Sequence, residues 1–205
     1  MRGPAVSHSA DEAGRHEEAR LVLQAQRGEL GAFDQLVLRH QQTVFAVAVR
    51  MLGDRDEAQD AAQDAFVQAY RHLAEFRREA KFSTWLVAIT MNLCRNRRRW
   101  WARRRRVIAA STDEPVAKDE GGAGHDAPDP GPSPSAEALR RERERLLREA
   151  LQGMDADDRA VIVLRDLEGH DYQEIAGMLH TKVGTVKSRL HRARWQLRAR
   201  LDGKL

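Results

Sequence analysis

The chain has 205 residues, 32% of them charged and only 5% aromatic, with a net charge of +4. Such a balance suits one or two small helical domains better than a large β core. The single cysteine, Cys94, excludes an internal disulfide framework and fits a reducing compartment. The longest apolar run, Val44 to Val49, is too short to span a bilayer, and the N-terminus lacks the apolar stretch of an export signal.

Residues 1–18 carry a net −2, show no periodicity and read as an irregular tail. Residues 19–106 carry +8 and follow a helical pattern broken at Gly53-Asp54 and between Arg77 and Lys81. In the segment 54–73, Asp56, Asp60 and Asp64 recur at i+4 and share one face. Acids near a helix start favour the macrodipole, yet like charges at this spacing repel. The face therefore reads equally as a structural feature or as one aimed at a basic partner. Ala58, Ala62, Ala65, Phe66, Ala69 and Leu73 supply its buried side.

A charged loop follows, bracketed by Phe76 and Phe82, and enters a helix that Ser83 can cap. Trp85, Leu86 and Ile89 take that helix's apolar face. The rings Phe76, Phe82 and Trp85 read mainly as core, with stacking of unpaired bases as the other reading. Cys94 sits in an apolar stretch and reads as packing. Residues 95–106 hold eight arginines in twelve positions, more than a solvated helix needs, and fit phosphate neutralisation. Trp100 and Trp101 within that run suit either stacking on bases or packing on the domain.

Residues 107–136 carry −5 and mix Pro, Gly, Asp and Ser, the composition of a flexible acidic linker. Such a linker could compete with DNA for the basic bodies on either side. Residues 137–205 carry +3 and resume the helical pattern. Their end, from Asp171 to Leu201, reads as two helices joined by a tight turn. Asp171 with Glu174 forms a capping box. Ile175, Ala176 and Leu179 make one apolar face, and Val183, Val186 and Leu190 another. His180 stands at the turn, where a positive φ is needed. No acidic residue occurs between Lys182 and Arg200, while Lys187, Arg189, Arg192, Arg194 and Arg198 are basic. A capped helix, a turn and a cationic helix make the geometry of a helix-turn-helix. The expected fold is all-α, two small helical domains without a sheet.

The segments 31–76, 82–99 and 158–194 together resemble bacterial RNA polymerase sigma factors of the extracytoplasmic-function group of the sigma-70 family. The motif VGTVKSRLHRAR after EIA, with the TWL and DAAQDAF blocks, carries the likeness. The resemblance implies a region 2 domain over residues 19–106 and a region 4 domain over 137–205. It implies that Asp60, Gln63, Asp64 and Val67 dock on core RNA polymerase, at the coiled coil of the β′ clamp, with the β subunit as a further contact. It implies that the 77–81 loop (Arg77, Arg78, Lys81) captures a flipped base of the −10 element, with Trp85, Asn92, Asn96, Arg97 and Arg98 facing that element. Extruding a base costs a few kcal/mol, so melting would be driven by binding and not by ATP. It implies that Thr185, Lys187, Ser188, His191 and Arg192 read the −35 element, and that an anti-sigma factor restrains the protein in the cytoplasm. No cofactor, metal or small-molecule substrate is expected. His180 in place of the common turn Gly, Asp155 in place of Pro, and a polar His191 are departures from the family pattern.

Two other functions fit less well. A free-standing DNA-binding regulator would not need the acidic face, loop or tryptophans of the first domain. An enzyme on DNA needs a positioned nucleophile, and Ser7 and Ser9 lie in the expected tail. The eight histidines are scattered and Cys94 has no CxxC partner, so no metal site is expected either.

Overall fold

In a computed structural model the protein is described over residues 6–111 and 134–202, with side chains over 14–104 and 137–202. Eight α-helices make up these residues, among which no strand occurs. The first four are α1 (Val6–Gln26), α2 (Leu30–Leu52), α3 (Arg55–His72) and α4 (Phe82–Ser111); a 3₁₀ turn, Leu73–Glu75, follows α3. The last four are α5 (Pro134–Gln152), α6 (Ala156–Ile162), α7 (Tyr172–Met178) and α8 (Val183–Leu201); α6 runs on into a π-helical segment, Val163–Leu167.

The N-terminal domain is built around α2. Phe33, Leu36, His40, Val44, Val47 and Met51 recur at helical spacing and are buried along its length. The helix stops at Gly53, whose φ of 87° places its amide 2.8 Å from the Val49 carbonyl. Only glycine takes that conformation without strain. Asp54 then caps α3 by accepting from the Glu57 amide at 2.8 Å. The buried side of α3 is Ala58, Ala61, Ala62, Ala65 and Ala69, so its backbone can lie close to its neighbours. One apolar cluster joins α1 to α4 through Val22, Leu36, Ala65, Phe82 and Leu86. Burying each large side chain there is worth about 1.5–3 kcal/mol.

Three expectations need correction. Residues 6–18 are helical, not an irregular tail, because α1 begins at Val6. That stretch is rich in strong helix formers (Ala10, Glu12, Ala13, Glu17, Glu18), and its sequence carries no apolar stripe to announce the helix. Glu18 adds a polar contact to the buried Leu21, Val22 and Ala25 of the same helix: it lies 3.1 Å from His40 Nε2 and accepts the Ser83 amide. Ser83 therefore does not cap α4. It sits inside the first turn, and a carboxylate from α1 takes its amide instead. Helix also invades both ends of the expected linker, at 107–111 and 134–136. The competition expected of the acidic linker falls largely on residues 112–133, outside the described residues.

The C-terminal domain is not a separate bead. A second apolar cluster straddles both domains, joining Val47, Met51, Val87, Met91 and Cys94 to Leu151, Val161, Ile162, Leu164, Ile175 and Leu190. The joint could not be read from periodicity, because the apolar residues of α2 and α4 serve two neighbours at once.

Candidate functional site

Asp171 starts α7. Its Oδ1 accepts the amides of Gln173 and Glu174 at 2.7 and 2.9 Å, while Glu174 Oε2 accepts the Asp171 amide at 3.0 Å. The Glu174 amide, chiefly, holds the Asp171 carboxyl below its ordinary pKa. The chain leaves α7 through His180 at φ 50°, with the Thr181 amide on the Ala176 carbonyl at 2.9 Å. Val186, Leu190 and Ala193 bury the inner face of α8. The capped pair and the positive φ at His180 are thus as the sequence indicates.

On the outer face of α8, Thr185, Lys187, Ser188, His191 and Arg192 are all exposed. Their freedom differs. Arg192 is bound bidentately to the buried Asp158, at 3.0 and 2.5 Å. Ser188 Oγ donates to the Thr185 carbonyl at 3.1 Å. The ammonium of Lys187 lies 5.6 Å from the centre of the Tyr172 ring, a contact easily exchanged for a phosphate. Arg194 is paired with Asp166, and Arg189 approaches Asp157 at 3.5 Å. Part of the cationic run therefore neutralises acids of its own domain. Trp195, 70% exposed on the same outer face, was not singled out by its sequence context.

In the N-terminal domain the 77–81 loop stands clear of the core, with Arg77, Arg78 and Lys81 exposed. Arg78 takes a φ of 60°, a conformation uncommon outside glycine. Phe76 and Phe82 are core residues, 8% and 3% exposed. Trp85, half-buried, stacks on Phe76 with ring centres 4.8 Å apart. One platform ring thus borders the loop. Asn96 is exposed and Asn92 half-buried, one turn apart on α4.

Arg97 and Arg98 turn inward. Arg97 donates to Glu57 Oε2 at 3.1 Å and to Asp64 Oδ2 at 2.6 Å. Arg98 donates to Gln152 Oε1 at 2.7 Å and to the Met51 carbonyl at 3.3 Å. Trp100 and Trp101 meet edge to face, 5.1 Å between centres, with Arg104 over Trp100. Both tryptophans remain nearly half exposed.

Asp60, Gln63, Asp64 and Val67 form an exposed strip on α3. Beside it lies an apolar groove of about 400 Å³, walled by Leu30, Phe33, Phe66, Val67 and Tyr70. Leu30 is 62% exposed there. The sequence reading missed this groove, because Leu30 and Phe33 continue the core stripe of α2 and look like core. Among the described residues no cluster of potential metal ligands occurs. Cys94 is buried, and burial pushes its thiol pKa up to about 12. No described helix is long and apolar enough to cross a membrane.

Comparison with known proteins matches both domains. Residues 36–106 fit the family model of Sigma-70 region 2, and residues 144–197 that of Sigma-70, region 4. The RNA polymerase sigma-H factor of Pseudomonas aeruginosa is 38% identical over 180 residues, 88% of this chain and 91% of that protein. The ECF RNA polymerase sigma-E factor of Escherichia coli K12 is 35% identical over 174 residues, 85% of this chain and 88% of that protein. Among solved structures, CnrH in complex with the cytosolic domain of CnrY superposes with a TM-score of 0.63 at 29% identity, covering 92% of this chain and 99% of CnrH. The sigma factor RpoE of Bartonella quintana, solved with the anti-sigma factor NepR, gives 0.62 at 26% identity over 84% of this chain and 98% of RpoE. With both sigma regions matched in order and relatives aligned over most of their length, the chain belongs to the extracytoplasmic-function group of the sigma-70 family.

Proposed function

We propose that this promoter-specific transcription initiation factor divides its work among three exposed surfaces. The strip Asp60, Gln63, Asp64 and Val67, together with the apolar groove beside it, docks on the β′ clamp of core RNA polymerase. The 77–81 loop captures a base of the −10 element, with Trp85 as the platform and Asn92 and Asn96 along the strand. Thr185, Lys187, Ser188 and His191 read the −35 element in the major groove. Arg97, Arg98 and Arg192 brace these surfaces from within and do not touch bases.

The observation that carries this reading is the outer face of α8. It is a capped helix-turn-helix whose Lys187, Ser188 and His191 are exposed, while its remaining charge is largely paired. The protein catalyses no step itself; bond formation belongs to the polymerase, in the cytoplasm. An anti-sigma factor is a further partner, by likeness to the complexes of RpoE with NepR and CnrH with CnrY.

Run-off transcription with purified core polymerase on a library of promoter fragments tests the proposal. Start sites that depend on both the added protein and its −35 sequence support it. Sequence-specific DNA binding without stoichiometric binding of polymerase would make the chain a free-standing regulator instead.

A further inference from the structure

Trp195 takes no part in the core. At 70% it is the most exposed of the large apolar side chains among the described residues. The other tryptophans are engaged: Trp85 stacks on Phe76, and Trp100 and Trp101 meet each other. Among the described residues no hydrogen bond, ring contact or cation occupies the Trp195 indole.

Its place on α8 decides what it faces. Val186, Leu190 and Ala193 bury one side of the helix. Ser188, His191 and Trp195 follow one another at three and four residues on the opposite side, all exposed. The indole therefore extends the −35 reading face by one turn beyond His191.

The charge around it is that of a surface for a polyanion. No acidic residue occurs between Lys182 and Arg200. Arg192 and Arg194 are consumed by Asp158 and Asp166. Arg198, exposed and one turn past Trp195, has no ion pair among the described residues. Lys187 has only its ring contact to Tyr172. Lys187 and Arg198 are eleven residues apart, close to three turns, so they share one edge of α8, about 16 Å apart along its axis. A B-DNA major groove is about 12 Å wide. The two uncommitted cations can thus meet phosphates on the two walls of one groove. Trp195 lies three residues before Arg198, about 4.5 Å along the axis, and so at the wall farther from the start of the helix.

An indole suits that place. It has broad apolar faces and a single N–H that donates and cannot accept. The backbone of DNA offers a deoxyribose face beside a phosphate oxygen, and contacts there fix register without reading sequence. We propose that Trp195 clamps the sugar–phosphate backbone at the far lip of the major groove, its ring against a deoxyribose and its Nε1–H donating to a phosphate oxygen, and so sets the seating of α8 on the −35 element. Trp195 is then a positioning residue, acting through Lys187, Ser188 and His191. The proposal rests on the −35 role assigned to α8.

The test uses holoenzyme, formed from the full chain and core polymerase, on a promoter duplex selected by run-off transcription. Trp195→Ala should lower promoter affinity about tenfold, and Trp195→Phe, which keeps a ring but loses the N–H, two- to threefold. Base preference at every −35 position should be retained. The salt slope should be that of the parent, because no charge is removed; Arg198→Ala should reduce it by about one. Melting temperature and affinity for core polymerase should be unchanged in both tryptophan variants, since the side chain is exposed. Neutral methylphosphonates placed singly along the backbone flanking the −35 element locate the contact. One of them should weaken the parent and leave Trp195→Phe unaffected. Parental promoter affinity in Trp195→Ala would overturn the proposal. Relaxed preference at one base pair would overturn it too, by making Trp195 a reader of bases. A loss of core polymerase affinity with promoter binding intact would make it a protein contact instead. A parent holoenzyme indifferent to the −35 sequence would overturn the assigned role of α8 itself.

Discussion

The guanidinium of Arg97 lies 2.6 Å from the carboxylate of Asp64, tying α4 to α3 across the N-terminal domain. By family resemblance these two residues face different partners, DNA and polymerase. The pair occupies both side chains with each other, and Glu57 joins it at 3.1 Å. Desolvation would lower the Arg97 pKa, but the two carboxylates outweigh it and raise the pKa above its ordinary value. Because Asp64 is exposed to solvent, the pair is worth no more than about 1 kcal/mol. Arg97→Ala should therefore lower the melting temperature by a few degrees, roughly 2–4 °C per kcal/mol for a chain of this size. It should leave the salt dependence of promoter binding unchanged. A log–log salt slope reduced by about one would show that Arg97 contacts a phosphate instead.

Lys187 and Arg192 should separate in the same way on α8. Lys187 has only a ring contact to lose, so Lys187→Ala should melt like the parent while weakening −35 binding and reducing the salt slope by about one. Arg192→Ala removes the bidentate partner of the Asp158 carboxylate, which is 2% exposed and is left with Gln196 at 3.3 Å and Arg189 at 3.9 Å. Its main effect should be a lower melting temperature, read by calorimetry, with little change in base preference. Relaxed preference at one base pair for Arg192→Ala would return that residue to the reading surface.

These two positions show where sequence reasoning reaches its limit. The Asp171–Glu174 box, the positive φ at His180 and the inner stripe of α8 are local features, set by neighbours three or four residues away. All three were legible. Which arginines remain available for DNA depends on acids far along the chain: Asp64 for Arg97, Asp157 for Arg95, Asp158 for Arg192. Charge counting sees the cations but not these pairings. The start of α1, before residue 19, escaped notice for a related reason, since the contact of Glu18 with His40 is set by a residue far along the chain, while the buried Leu21, Val22 and Ala25 lie in the part already read as helical. The docking of the two domains escaped because Met51, Met91 and Cys94 look like ordinary core whichever body they face.

Glu18 makes a prediction about acid. Its pKa is lowered, chiefly by the hydrogen bond with His40, against desolvation that raises it. A carboxylate whose folded pKa is depressed contributes stability that is fully present above its unfolded value of 4.5 and is lost as pH falls through the folded value. Glu18→Gln should therefore melt a few degrees below the parent at neutral pH, and the two melting curves should converge in the acid range below 4.5. A difference that persists unchanged at pH 3 would mean that Glu18 acts through packing alone.

Cys94 makes the opposite prediction at high pH. Burial raises its thiol from 9.0 to about 12, so the native protein keeps the proton over a range in which the unfolded chain loses it. Between those values the unfolded state binds fewer protons, and stability must fall as pH rises. Cys94→Ala should remove that slope, at a cost of about 1 kcal/mol for the lost volume. The measurement is a denaturant titration of both proteins at pH 8 and pH 10.5. The parent's advantage over Cys94→Ala should shrink at the higher pH. The same burial makes the thiol inert to exposed-thiol reagents in the free protein. Because Cys94 belongs to the cluster shared by the two domains, its slow modification reports whether that cluster is closed. Rapid labelling of the free protein would show that the shared core is already open.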